Sequence, residues 1–238
     1  MTLRRTRAYG GSGLVLAVCT VLAWQNATAA QDCYAAATPG VNWQACDKKL
    51  LILEGQDLSG ANLFGVDFTS TDLRNSNLLA ANFEKATLVR ASLAGSTAKG
   101  ARFDKIEAYR TDFSQMDAQG AVFTGAEVQR SNFQDANLVD VDFTKAELGR
   151  AQFHDADISG SHFSFANLAR ADFRGAKFTA PIDFEGAFFF LTRIEGLDLS
   201  NSAGLSQWQL NMACGDARTE LPSGMTRPEN WPCQFQQE

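Results

Sequence analysis

Residues 56–95 read QDLSG ANLFG VDFTS TDLRN SNLLA ANFEK ATLVR ASLAG when broken into fives, and the same frame runs without a slip to Phe178. The central residue of each block falls at 43, 48, 53 and onward to 178, and 27 of those 28 centres are apolar, Lys48 being the exception. A helix buries every third or fourth residue, so no helix has a period of five. Two residues before each centre sits mostly Ala, Ser, Thr or Val, and the residue just before it is commonly Asp or Asn. One residue is inserted around Ala180 and Pro181, after which the pattern resumes at Phe184, Phe189, Ile194 and Leu199 and brings the count to 32 blocks.

The consensus A-(D/N)-(L/F)-x-x resembles the pentapeptide-repeat family, and the resemblance covers residues 41–200. It implies an all-β fold, a right-handed quadrilateral β-helix with four blocks per coil, in which the central residue and the one two before it point inward. Thirty-two blocks then make about eight coils and a rod about 38 Å long at one strand spacing per coil. A twenty-residue coil also has a signature in the chain itself. Phe occupies centres 103, 113, 123, 133, 143, 153, 163 and 173, with Ala108, Ala118, Val128, Leu138, Leu148, Ile158 and Leu168 between them. Centres ten apart lie on opposite walls, so two facing phenylalanine ladders fill the core, as close packing demands. Where the centres shrink to Ala108 and Ala118, the other inward position enlarges to Ile106 and Met116, which conserves volume. Thirteen of the 18 Phe are centres, so the aromatic content reads as core and not as a cofactor box.

Outside the repeat, residues 1–30 read as a cleaved signal peptide. Arg4, Arg5 and Arg7 form a positive start, Gly13–Trp24 an apolar run too short to span a bilayer, and Ala27-Thr28-Ala29 a small-x-small cleavage pattern. A lipoprotein signal ending at Cys19 is disfavoured by Val18, and a twin-arginine signal at Arg4-Arg5 by the flanking Thr6-Arg7; either still exports the chain. The expected location is therefore the periplasm or the exterior of a bacterial cell. The 238 residues are 45% hydrophobic and 20% charged with five Pro, which excludes disorder. Net charge is −6, and loss of the signal leaves 18 basic against 27 acidic side chains, a charge of −9. Nucleic-acid binding through bulk positive charge is thereby excluded. Residues 31–46 are expected to cap the N-terminal end, overlapping the first repeats, and 201–238 the C-terminal end. Ser206-x-x-Gln209 is a capping box, so a short helix is expected with Leu205, Trp208 and Met212 on one side, ended by Cys214 and Gly215.

Four cysteines remain after cleavage, Cys33, Cys46, Cys214 and Cys233, and an even count in an exported chain without a Cys-x-x-Cys spacing reads as disulfides. Four allow three pairings. If the implied rod separates the two pairs by tens of ångströms, cross-pairing exceeds disulfide reach, which leaves Cys33–Cys46 and Cys214–Cys233.

The most specific outward feature is arginine spaced by twenty: Arg90, Arg110, Arg130, Arg150 and Arg170 form one column along one corner. Glu107, Glu127 and Glu147 stand three residues earlier, and Asp112 and Asp172 two residues later, so an ion-pair ladder that holds register is the expected role. The alternative is a strip for the phosphates, sulfates or uronic acids of an envelope polymer, since guanidinium forks suit such groups. Phe188 and Phe190 flank a central residue and should point outward, where either the C-terminal tail with Trp208 or Trp231 covers them, which is the expected case, or they form a partner contact. Other outward apolar residues (Phe64, Leu79, Val89, Tyr109, Val139, Phe165) do not share one column. His154 and His162 fall on opposite walls and read as surface imidazoles with no shared metal; no cofactor, metal or catalytic cluster is expected. The expectation is a non-enzymatic structural or binding scaffold of the envelope, its partner a protein or anionic polymer. Nucleic acid and a membrane span are not expected; the chain reads as a monomer, with a homodimer through the C-terminal end as the alternative. Some members of the family bind a type II topoisomerase by imitating duplex DNA, but they are cytoplasmic, and an export signal, cysteines and an arginine column depart from them. An envelope hydrolase with a site at an end cap has no residue in its favour.

Overall fold

A computed structural model describes residues 30–234; all but the last residue of the expected signal, its arginines and Cys19 included, lies outside them. From Asn42 to Lys177 the residue before each centre bridges in parallel to the residue twenty positions on. Four columns result, starting at Asn42, Asp47, Ile52 and Asp57, and the chain is a solenoid. The backbone explains the five-residue block. The pre-central N–H reaches back one coil (Asn82 N to Ala61 O, 2.9 Å) while the central N–H reaches forward (Phe83 N to Arg102 O, 2.7 Å). A turn then closes the block (Ala86 N to Phe83 O, 2.8 Å), and its last residue takes a left-handed conformation. Every multiple of five from Gly40 to Gly175 has positive φ, whether Gly or not. The inserted residue lengthens the bridge step to 21, as in His162 to Asp183, and the fourth column breaks after Lys177.

Pre-central Asp and Asn have a local reason. Their side-chain oxygen accepts the N–H two residues on, as Asp57 does from Ser59 (3.0 Å) and Asn82 from Glu84 (3.0 Å), so each stabilises its own turn. Asn62, Asn77, Asn132 and Asn137 also donate to the equivalent oxygen one coil back, at 3.0 to 3.2 Å.

Inside, the two phenylalanine ladders form as read. Phe103, Phe123, Phe143 and Phe163 stack at 4.6 to 5.1 Å, as do Phe113, Phe133, Phe153 and Phe173, and the ladders meet edge to face at 5.5 to 5.9 Å. Ala108, Ala118, Ile106 and Met116 are all fully buried. Inward hydroxyls reach a central carbonyl of the preceding coil: Thr111 donates to Leu88 O (2.6 Å), Ser131 to Ala108 O (2.6 Å) and Ser161 to Leu138 O (2.6 Å). This satisfies polar groups that would otherwise burden an apolar core.

At the N-terminal end Cys33 is bonded to Cys46. Lys48, the polar centre, donates to Cys33 O at 2.7 Å and lies 3.8 Å over the Trp43 ring, so the exception in the pattern is what fastens the cap. The cap is partial. Leu50 and Ile52 of the first coil stay 77% and 82% exposed. At the other end Cys214 is bonded to Cys233, and the helix α1 (Gln207–Met212) starts from the capping box at Ser206. Its buried residues are Gln209 and Leu210; of the side expected to pack, Leu205 is buried and Met212 lies against the core, but Trp208 is 62% exposed, which corrects its placement. The reason is that the Gln209 amide is needed inside: it donates to Ala187 O (3.0 Å) and gives a second hydrogen bond to Phe184 O (2.8 Å), which also accepts the Ala187 N–H of its own turn. Trp231 is the tail residue that packs: its indole donates to Ala213 O at 2.7 Å, and its ring occupies the place a side chain on Gly215 would need.

Candidate functional site

The second bridge column runs Asp47, Asp67, Thr87, Glu107, Glu127, Glu147, Asn167 and Phe188. The face it centres is bounded by two corner columns. One holds Arg90, Arg110, Arg130, Arg150 and Arg170, all exposed, with φ between 58° and 61°. The other holds Lys85, Lys105 and Lys145, with φ between 54° and 60°. The arginine column forms where sequence spacing put it; the lysines recur at the same period and were legible but unread.

The expected ion-pair ladder does not form. Among the described residues none of these eight cations lies within 4.0 Å of a carboxylate. Other cations are paired: Lys49 with Asp67 (3.1 Å), Arg74 with Asp72 (2.6 Å), Lys99 with Asp117 (3.0 Å), Arg102 with Glu84 (3.0 Å) and Arg174 with Asp172 (2.7 Å). Position within the block is the reason. Pairing links the residue before a centre to the residue after one, since both stand on the flat of a face. The eight cations sit one place further on, at corners. The partner positions of Glu107, Glu127 and Glu147 hold Tyr109, Gln129 and Gly149, so these acids meet no cation either; Glu147 accepts only the Asn167 amide at 2.8 Å. Arg110 and Arg130 instead lie 5.2 and 5.9 Å from the Tyr109 ring, and Lys85 lies 5.1 Å from Phe64.

Phe188 and Phe190 belong to this same face, one coil beyond Asn167 and Arg170. Phe188 bridges Asn167, and Phe190 O accepts the Arg170 N–H at 2.8 Å. Their rings stack at 6.3 Å and 11°, and they remain 41% and 45% exposed. The tail was expected to cover them and does not, because Trp231 turns inward onto Gly215 and Trp208 stays in solvent.

His154 is more than a surface imidazole: its Nε2 lies 3.1 Å from Asp172, which also binds Arg174. Burial works against the Asp172 charge, yet hydrogen bonds from Arg174 and the nearby His154 hold its carboxyl below the ordinary value. No group of three or more His, Cys, Asp or Glu able to hold a metal occurs among the described residues, and no helix among them is long and apolar enough to cross a membrane.

Two family models match the chain. One described as a pentapeptide repeat region matches residues 97–173, and one described as pentapeptide repeats in eight copies matches 52–78 and 76–115. Trypsin-treated QnrB1, a plasmid-mediated fluoroquinolone resistance protein, is 16% identical, covers 76% of this chain and 89% of its own, and superposes with a TM-score of 0.55, which speaks for the fold alone. HetL, a pentapeptide repeat protein involved in heterocyst differentiation regulation in the cyanobacterium Nostoc sp. strain PCC 7120, is 21% identical over 79% of this chain and 90% of its own, with a TM-score of 0.27. No curated protein matches.

Proposed function

The chain belongs to the pentapeptide-repeat family, and from that premise we propose an exported, non-enzymatic scaffold of the bacterial cell envelope that holds an acidic partner, protein or polymer, against its arginine column. The proposal includes the finer shape, a right-handed four-walled rod of about eight coils, which the four bridge columns at a step of twenty support. Export is supported by the charged and apolar opening of the chain and by two disulfides, which belong to oxidising compartments. The carrying observation for binding is the contrast between positions: Lys49, Arg74, Lys99, Arg102 and Arg174 on the flats are neutralised by Asp and Glu, while five corner arginines stay unneutralised in a chain with a net negative charge. Closely spaced guanidiniums repel one another, and a row of ligand anions relieves that repulsion. A duplex-DNA imitation would need acidic faces all round, and this basic face counts against it.

Two measurements test the reading. Fractionation of cells expressing the full chain should place it in the periplasm or medium, starting at Ala30 or Gln31; a cytoplasmic, uncleaved product would remove the envelope role. Pull-down from envelope extracts should succeed with the mature protein and fail when the five arginines are replaced by Glu. Equal recovery by both would remove the column as the contact.

A further inference from the structure

We propose that the whole second face, from Lys85 to Phe190, is one binding site for a linear acidic polysaccharide lying along the rod axis. The inference rests on the reading that the arginine column contacts acidic groups, and it names the ligand class. Three chemistries coincide on this face, and each asks for a different part of such a polymer.

The first is charge. In segments 85–90, 105–110, 125–130, 145–150 and 165–170 there are eight cations and three acids, within a chain whose net charge is −6. The cations form two rails at the corners. Arg90 to Arg170 covers four coil steps, about 19 Å at one strand spacing per step, so the rail matches an extended ligand carrying repeated carboxylates or sulfates.

The second is acceptance. Between the rails run the exposed carboxylates of Glu107, Glu127 and Glu147, which no cation neutralises. For a polymer that offers only anions, this row is repulsive. For a sugar chain, whose rings carry hydroxyls between their acidic groups, the same row is a line of acceptors, because an ionised carboxylate accepts and never donates. Gly149 supports an occupied lane here. It is neither in a left-handed conformation nor crowded, a Cβ there meeting only Ala169 O at 3.7 Å and Gln129 at 3.9 Å, so the backbone does not require glycine. Gly149 and Ala169 leave a low floor between Gln129 and Phe190.

The third is apolar. Tyr109, 37% exposed beside Arg110 and Arg130, stands toward one end of the lane, and the stacked, half-exposed Phe188 and Phe190 stand at the other. Aromatic rings with a solvent-facing surface offer platforms for the C–H faces of sugar rings. Polyphosphate has no such faces and no hydroxyl donors along its length.

The test is titration of the mature, oxidised protein with polygalacturonate oligomers of increasing length, alongside dextran sulfate, neutral dextran, linear polyphosphate and vesicles of anionic phospholipid. Polygalacturonate or dextran sulfate should bind, and which is tighter decides between uronate and sulfate. Affinity should rise with length and level off once the oligomer spans the rail, weaken with salt, and be absent for neutral dextran. Replacing Arg110, Arg130 and Arg150 together by Gly, which suits the left-handed corners and spares the fold, should weaken binding at least tenfold at an unchanged melting temperature. Lys105→Gly with Lys145→Gly should weaken it severalfold, as should Phe188→Ala with Phe190→Ala. Glu127→Ala with Glu147→Ala is decisive: it should weaken the saccharide and strengthen polyphosphate. Tighter binding of every polyanion in that variant, or polyphosphate or vesicles preferred over both polysaccharides, would overturn the saccharide assignment while leaving an anion strip. If no polyanion binds, the saccharide site is overturned; if the envelope pull-down also fails, the arginine contact falls with it.

Discussion

At the scale of single residues the block of five assigns each position a different physical task, and the tasks predict different costs. Phe133 lies between Phe113 and Phe153 and meets Phe123 and Phe143 edge to face, so neighbouring coils cannot close over its loss. Phe133→Ala should cost about 3–5 kcal/mol. Gln134, one position on and exposed, should tolerate Ala within about 0.5 kcal/mol. Denaturant midpoints of the two variants measure this, and equal shifts would refute the assignment of inward and outward positions. Corner residues carry a backbone constraint instead. Gly100 has φ +61° and open space around its Cβ position, so Gly100→Ala should cost about 1–2 kcal/mol through conformation alone, a loss visible in the same midpoints. The inward and corner tasks were legible in the sequence because they repeat. The direction of Arg90 to Arg170 was not: spacing puts Glu127 three residues from Arg130, but whether two side chains meet depends on which stands on the flat and which on the corner.

At the scale of elements the turns and the caps decide stability, and here the sequence was legible in part. The capping box at Ser206 was read correctly from Ser-x-x-Gln, since that motif is local. On α1 only Trp208 departs from the expected side, nominated by its apolarity, while the carbonyls of Phe184 and Ala187, a need absent from any sequence pattern, recruit Gln209. Gln209→Leu should leave the Ala187 carbonyl buried and unsatisfied and cost about 1–3 kcal/mol in thermal or denaturant unfolding; a neutral outcome would mean the helix does not seal the last coil. The Asx turns add a pH dependence. Burial raises the Asp142 carboxyl, but bonds from the Thr144 hydroxyl and N–H (2.8 Å), then the Thr124 hydroxyl (2.9 Å), outweigh it and hold the group below its ordinary value. A folded-state value below the unfolded one of about 3.9 gives stability that is fully present above that pH and is lost as pH falls through the folded value. Asp67 and Asp172 are shifted the same way, burial opposing and hydrogen bonds prevailing. Melting temperature should therefore drop steeply below about pH 4, and Asp142→Asn should flatten that drop. An unchanged profile would show that the carboxylates are not what acid attacks.

At the scale of the whole molecule each coil touches only its neighbours, so stability is a sum of coils and interfaces and need not be uniform along the rod. The interior from Phe103 to Phe173 has unbroken stacks on both ladders. The ends differ from each other. The C-terminal end is sealed by α1, by Trp231 and by the Cys214–Cys233 bond. The N-terminal end relies on Cys33–Cys46, Lys48 and Trp43, while Leu50 and Ile52 remain open and the second and third coils lack the full ladders, with Leu63, Leu73 and Leu93 in place of Phe. Less ring contact per coil and a partial cover lower the local opening free energy, so unfolding should begin at this end. Hydrogen exchange on the oxidised protein should show protection rising from residues 50–60, reaching its maximum between 103 and 173, and remaining substantial at Leu210 and Ala213. Replacing Cys33 and Cys46 by Ser removes a short-loop crosslink worth about 3 kcal/mol in the chain-entropy account. If coils act as neighbours only, that loss should accelerate exchange in the first two or three coils and leave the amides of Phe133 and Phe153 unchanged. A uniform acceleration along the rod would instead mean that the solenoid opens as a single cooperative unit, with the N-terminal cap controlling all of it.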